Sequence, residues 1–184
     1  MYSQCIKQRS AERQRQMERV LLDEMLQRPY SEITVSSLCA RMHIQRRTFY
    51  RYFDNKDGAL MALIDHAILD CFAKRRYDGF ASIETNIYNM FAYWEDHKEL
   101  LTVLTENNLL KLLLPRVIEL CRTEGGAFPH DLFYEQEDQS YIRLFLSNGV
   151  MSMVIQWHLN GYPQSAVHMA KLASRLVRQP FPDP

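Results

Sequence analysis

Apolar residues recur every three to four positions along nearly the whole chain, and no segment alternates apolar with polar over the length of a strand. A period near 3.6 marks amphipathic helix and a period of two marks half-buried strand. The pattern therefore predicts an all-α fold. The expected helices run from Ser10 to Gln27, from Thr34 to a turn at Met42–Gln45, from Arg46 to Phe53, and from Lys56 to Tyr77. Further helices are expected at Ile83–His97, Glu99–Glu106, Leu109–Thr123 and Asp138–Asn160. Pro115 should kink or restart the third of these. Glu124–Gln136 holds Gly125, Gly126 and Pro129 and reads as a loop. Gly161 should stop the long helix, and Pro163 should open the last one near its first turn.

The first four helices are the most informative. Met17, Val20, Leu21, Met25 and Leu26 fall on one face of the first, which Pro29 closes. Thr34 is a suitable N-cap for the second, whose apolar stripe is Val35, Leu38, Cys39 and Met42. In the third, Phe49 and Phe53 are spaced i,i+4 as inward anchors. Asp54 or Asn55 can cap the fourth. Two short helices joined by a tight turn form a helix-turn-helix, whose second helix enters the DNA major groove. The turn position favouring left-handed backbone holds His43. The outer face of the second helix carries Arg46, Arg47, Thr48, Tyr50 and Arg51, side chains suited to base edges and phosphates.

Charge distribution agrees with that reading. The 184 residues sum to zero net charge, but residues 1–56 hold 11 Lys/Arg against 6 Asp/Glu, while 57–184 hold 11 against 16. The basic part suits polyphosphate and the acidic remainder does not. A division into a basic DNA-binding part, 1–56, and an acidic helical remainder, 57–184, follows. Cys5, Cys39, Cys71 and Cys121 are widely spaced, which speaks for reduced thiols rather than a disulfide framework or zinc site. There is no membrane-length apolar run and no secretory leader, so a cytoplasmic location is expected.

The run TVSSLCARMHIQRRTFYRYFDNKDGAL, Thr34–Leu60, resembles the amino-terminal signature of the tetracycline-repressor (TetR) family of bacterial regulators. The shared features are the threonine opening the second helix, the Thr-Phe-Tyr-x-x-Phe core of the third, and the Asn-Lys-x-x-x-Leu entry to the fourth. His43 stands where glycine is common, and Gln45 where serine or threonine usually caps. The resemblance implies an amino-terminal three-helix head and a carboxy-terminal helical effector and dimerisation domain. It also implies roles for residues. Arg46 and Arg47 are the expected base readers, and Thr48 contacts a base or a phosphate. Tyr50, Tyr52 and Lys56 are expected at phosphates, Arg51 is expected on the same DNA-facing surface, and Thr34 and Ser36 contact backbone from the second helix. The basic arm Arg9–Arg15 adds nonspecific attraction.

Such a regulator reads a near-palindromic double-stranded DNA operator as a homodimer, because two half-sites need two recognition helices. In the family the last two helices pair with their copies. Here they offer Gly149 and Ser152 for close approach, with Met151, Val154, Ile155, Met169, Ala173 and Leu176 for apolar burial. The last helix carries Ala166, Met169, Ala170, Ala173, Leu176 and Val177 on one face. Phe72, Phe80, Met90, Phe91, Tyr93, Trp94 and Trp157 can line a pocket for a small hydrophobic effector. No cofactor is expected. His66 and Asp70, spaced i,i+4 beside Asp65, resemble part of a metal site but read as a solvated helix face, and no catalytic motif accompanies them or His158. The expected function is a transcriptional regulator, a repressor switched by an effector. The alternative is a TetR-like coactivator or architectural protein that works through protein partners without a small molecule.

Overall fold

A computed structural model of the chain describes Tyr2 and residues 8–74, 83–128 and 138–178. The described chain forms α1 (Gln8–Met25), α2 (Val35–Arg41), α3 (Arg46–Tyr50), α4 (Lys56–Ala73), α5 (Ile83–Asp96), α6 (Lys98–Glu106), α7 (Leu113–Glu124), α8 (Gln139–Leu159) and α9 (Ala166–Arg178). Among the described residues there is no strand, only a single backbone bridge between Tyr2 and Phe53. The expected all-α class is what the chain adopts.

The helices divide into two compact units. The first comprises Met1–Ala67 with Thr102–Leu110. Its helix boundaries have local chemical causes. The Thr34 hydroxyl accepts from the Ser37 amide at 3.0 Å, and the Ser37 hydroxyl accepts from the Thr34 amide at 3.1 Å, so two of the free amides at the start of α2 are satisfied. At the other end, Ile44 N–H reaches the Cys39 carbonyl and His43 N–H the Ala40 carbonyl. This double bond pattern requires a left-handed residue at His43, whose φ is 52°. The Asn55 side chain accepts from the Gly58 amide at 2.8 Å and caps α4. Met17, Leu21, Ile33, Leu38, Phe49, Phe53 and Ile64 are buried together in this unit's core.

The core of the first unit also holds ionisable side chains. Glu18 and His66 are buried, and His66 Nδ1 sits 2.9 and 2.8 Å from the two Glu18 oxygens. Tyr2 donates its hydroxyl to the buried Asp65 at 2.9 Å, and its ring lies edge-on to His66. The expected solvated face at Asp65 and His66 is thus corrected: this side of α4 is buried, with His66 bonded to Glu18 of α1 and Asp65 to Tyr2. Among the described residues no cluster of three or more His, Cys, Asp or Glu can hold a metal ion. No described helix is long and apolar enough to cross a membrane.

The second unit comprises Ile68–Leu101 with Lys111–Pro184. Here α5 packs on α9 and α8, and α7 packs on α8. Trp157 anchors α8: its ring stands edge-on to Phe91 at 5.6 Å, and its indole N–H donates to the Gln164 carbonyl at 2.9 Å. Gly161, φ 74°, ends α8 with the same double bond pattern seen at His43. Gly126 is constrained by space as well as by φ 71°, since a Cβ there would lie 3.1 Å from the Ser147 hydroxyl and 3.2 Å from the Cys121 sulfur.

Several boundaries differ from the sequence reading. α1 runs two residues earlier at each end, so Leu26 lies beyond it and is exposed. Pro115 does not kink a helix. α7 restarts at Leu113 after a 3-10 turn, and Pro115 falls in its first turn, where the missing amide costs no bond. α9 begins at Ala166, not at Pro163, because the Ser165 hydroxyl caps it by accepting from the His168 amide. Cys39, Cys71 and Cys121 are free and buried; Cys5 lies outside the described residues.

Candidate nucleic-acid interface

Helix α3 is built from its buried side outward. Phe49 is fully buried, with its ring 5.2 Å from Phe53 and edge-on to Tyr50. That single anchor orients the helix, because α3 is only five residues long and cannot be stable alone. It ends at Tyr50 rather than Phe53. Arg51 and Tyr52 form a turn, and Phe53 leaves the helix to bridge with Tyr2. Gln45, in extended backbone, opens the helix through its carbonyl, which accepts from Thr48 N–H at 2.8 Å, and its side chain makes no cap bond.

With Phe49 fixed inward, Arg46, Arg47, Tyr50 and Arg51 stand exposed, and Thr48 is half-buried. Tyr50 is 52% exposed. The Arg51 guanidinium lies 5.2 Å from the Tyr52 ring centroid and its Nη2 reaches the Tyr52 hydroxyl at 3.3 Å, so Arg51 is braced rather than free. On α2, Thr34 is exposed and Ser36 is half-buried. The Thr34 cap uses the oxygen as acceptor and leaves the hydroxyl proton available to a phosphate. Burial raises the Cys39 thiol, and the positive charge of Arg46 opposes that rise. No described acidic side chain lies among Arg46–Arg51 in sequence, so the face is a short cationic edge of the kind that meets a major groove.

Two expected DNA contacts are corrected by geometry. Tyr52 is 4% exposed and belongs to the core, where its ring packs beside Phe53. Lys56 points back into its own unit. Its ammonium donates to the Tyr30 carbonyl at 2.7 Å and the Ile33 carbonyl at 2.8 Å, and sits 4.3 Å from the Tyr30 ring centroid. Its donors tie the α1–α2 loop to the start of α4. Tyr30 in turn donates its hydroxyl to Asp57 at 2.6 Å, and burial followed by that carboxylate drives its phenol far above the usual range. Sequence reading missed this anchoring role of Tyr30 and Asp57, because no local spacing links Tyr30 to residues 26 and 27 positions away.

The expected effector residues lie in the second unit, apart from Phe80, which falls outside the described residues. Phe72, Met90, Phe91, Tyr93, Trp94 and Trp157 are all buried. Phe91 packs on Trp157, and Tyr93 on Trp94 and His97. The expected dimer residues separate into two groups. Met151, Val154, Met169 and Ala173 are buried within their own chain, so they are core and cannot supply area to a partner. Gly149, Ser152 and Leu176 are exposed, and Ile155 is half-buried. Leu176, expected on the same apolar face of α9 as the buried Met169 and Ala173, is 62% exposed. Sequence reading missed Tyr141 and Phe145, 74% and 70% exposed, whose four-residue spacing continues through Gly149 along α8.

Residues 21–63 match the family described as bacterial regulatory proteins, tetR family, and residues 82–179 match the family described as transcriptional regulator C-terminal region. No functionally curated protein matches the chain. Among solved structures it is similar to "Dihydroxyacetone kinase operon activator DhaS", at 15% identity and a TM-score of 0.61. It is also similar to the fatty acid degradation regulator FadR from Bacillus halodurans, at 18% identity and a TM-score of 0.57. Each alignment covers 89% of this chain and 93% of the other. At those identities the likeness speaks for the fold, whereas the family matches extend over the helix-turn-helix and over more than half of the chain beyond it. The chain therefore belongs to the TetR family of transcriptional regulators, DNA-binding proteins rather than enzymes.

Proposed function

We propose that this regulator is a repressor that binds a near-palindromic operator as a homodimer, with residues 1–56 reading DNA and residues 57–184 dimerising and sensing an effector. The observation that carries the operator reading is the division of α3 into two faces. Phe49 is locked into the core while Arg46, Arg47 and Tyr50 stand outward from the same five residues. Arginine can donate a bidentate pair to guanine, and a tyrosine hydroxyl beside it reaches a phosphate. Tyr52 and Lys56 are left out of this surface because their polar atoms are used internally.

Dimerisation is supported by the exposed apolar residues of α8, Tyr141, Phe145 and Leu159, with Gly149 between them. A Cβ at Gly149 would meet nothing within 4 Å, so the space above it is open to a second copy. Leu114 and Ile118 of α7 join Tyr141 and Phe145 around one shallow apolar groove of about 480 Å³. An isologous pairing of this face is the commonest oligomer geometry and supplies the two heads a palindrome requires.

The effector reading rests on the aromatic cluster around Phe91, Tyr93, Trp94 and Trp157. A small hydrophobic ligand would have to part rings that now touch one another. A ligand switches the protein only by favouring one spacing of the two heads over another. The same ring-on-ring packing is the observation that favours the second reading, a TetR-like coactivator working through protein partners. The direction of control depends on where the operator lies. DhaS is named as an activator, and an operator placed upstream of a promoter would give that outcome here.

The test is selection of duplexes from a random library by the purified protein, followed by affinity measurements over a range of salt. The expected product is a two-fold symmetric sequence bound by two chains, with affinity falling steeply as salt rises. Recovery of unselected, asymmetric sequence would reject the operator reading.

A further inference from the structure

Every polar group of Tyr30 is committed. Its N–H donates to Asn107 Oδ1 at 2.7 Å, its carbonyl accepts from Lys56 Nζ at 2.7 Å, and its hydroxyl donates to Asp57 Oδ1 at 2.6 Å. Asn107 comes from a segment 77 residues later in the chain, yet it belongs to the same compact unit. It is itself fixed at both ends. Its Nδ2 donates to the Val103 carbonyl at 2.8 Å. Its backbone lies where α6 closes, with Asn108 N–H bonded to Thr105 and Leu109 N–H to Leu104 around the left-handed Asn108, φ 58°. An asparagine in that conformation is a strong helix stop, so the Asn107 amide is held in place by backbone rather than by a mobile loop.

From Tyr30 the connection continues into the reading head. Lys56 bonds both the Tyr30 and the Ile33 carbonyls, and Ile33 is buried next to Thr34, the N-cap of α2. A series of hydrogen bonds thus runs from the end of α6 to the Ile33 carbonyl, which the next peptide bond joins to Thr34, the N-cap of α2. We infer that Asn107 is a positioning residue for DNA reading: it sets the height of the α1–α2 loop, and through Lys56 and Thr34 the angle at which α2 and α3 meet the groove. This rests on the reading of α3 as the recognition helix. A bidentate arginine contact tolerates little displacement, whereas attraction to phosphates depends on charge count and tolerates much.

The test compares affinity for the selected duplex with affinity for a scrambled duplex of the same length, in the full-length protein. Asn107→Ala removes both side-chain bonds. It should lower the ratio of selected to scrambled affinity about ten-fold, within the range carried by one base contact, while leaving scrambled affinity unchanged. Asn107→Asp keeps an acceptor for the Tyr30 amide but sets a carboxylate oxygen against the Val103 carbonyl, so it should restore the ratio only in part. Faster amide hydrogen exchange at Tyr30 in the alanine variant alone would accompany this. An unchanged ratio in Asn107→Ala, or equal losses on both duplexes, would each overturn the inference. If the unaltered protein shows no preference for any duplex, the recognition-helix reading fails first and takes this inference with it. Discrimination retained by Asn107→Ala sinks the inference alone.

Discussion

Arg41, the last residue of α2, places its Nη1 2.6 Å from Glu24 Oε1 near the end of α1, and Arg28 bonds the other oxygen of the same carboxylate. One carboxylate thus ties the helix that supports the reading head to the first helix of the motif. Burial alone would raise the Glu24 carboxyl, but the two arginine bonds outweigh it and hold the group below its ordinary 4.5. A group depressed by folding contributes stability that is present above its unfolded value and is lost as pH falls through the folded one. The urea midpoint should therefore drop between pH 6 and pH 3 by less in Glu24→Gln than in the parent. Parallel curves would show that this pair does not contribute to acid sensitivity.

The two exposed arginines that open α3 should behave differently from the third. Arg46→Ala or Arg47→Ala should each cost about 1–3 kcal/mol on the selected duplex and relax one base preference. Arg51 is stacked on Tyr52 and bonded to its hydroxyl. Its replacement by alanine should weaken selected and scrambled duplexes alike and reduce the salt slope by about one. Fluorescence anisotropy titrations at several salt concentrations separate these outcomes.

Phe49 is the only buried residue of α3, so the orientation of the whole reading face depends on it. Phe49→Ala should destabilise the protein by about 3–5 kcal/mol, the usual cost of emptying a large buried aromatic site. Phe49→Leu should lose less stability but should still lower duplex discrimination, because the helix can tilt into the unfilled volume. Chemical denaturation and duplex titration of the same preparations would check both. Full discrimination in a destabilised Phe49→Leu would show that the arginines, rather than the anchor, fix the docking angle.

Much of the head was legible in sequence because its signals are local. Thr34 and Ser37 lie three residues apart, Phe49 and Phe53 four apart, and the left-handed turn falls at the tolerated residue His43. The errors arise where a side chain had two plausible directions. Lys56 was expected at a phosphate, but the carbonyls of Tyr30 and Ile33, more than twenty residues away, take its donors. Met151 and Val154 are apolar at helical spacing, which suits an interface and a core equally well, and only the packing of α8 assigns them to the core. The buried Glu18–His66 pair is invisible for the same reason, since a partner 48 residues distant leaves no periodic trace.

Cys71 is buried beside Trp94, and burial pushes its thiol up to about 12, with the Trp94 hydrogen bond partly opposing and Asp70 reinforcing the rise. At pH 8 the reactive thiolate is then about one part in ten thousand. Iodoacetamide should leave Cys71 unmodified in the folded protein and label it fully in urea, as read by peptide mass spectrometry. Rapid labelling in the native state would mean that the α4–α5 core opens readily.

The exposed apolar residues of α8 give the sharpest test of assembly. Phe145→Glu places a charge on a side chain that already faces solvent, so folding should be unaffected, while a partner pressed against it would have to bury that charge. The variant should sediment as a monomer and lose affinity for the symmetric duplex, yet keep its helical content and the affinity of a single head for a half-site. Met151→Ala is the contrast. It empties a core site, so it should destabilise the fold by about 2–5 kcal/mol and leave the oligomeric state of the folded fraction unchanged. If Phe145→Glu remained dimeric, the pairing face would have to be sought elsewhere, with the exposed Val167 and Leu176 of α9 the next residues to replace.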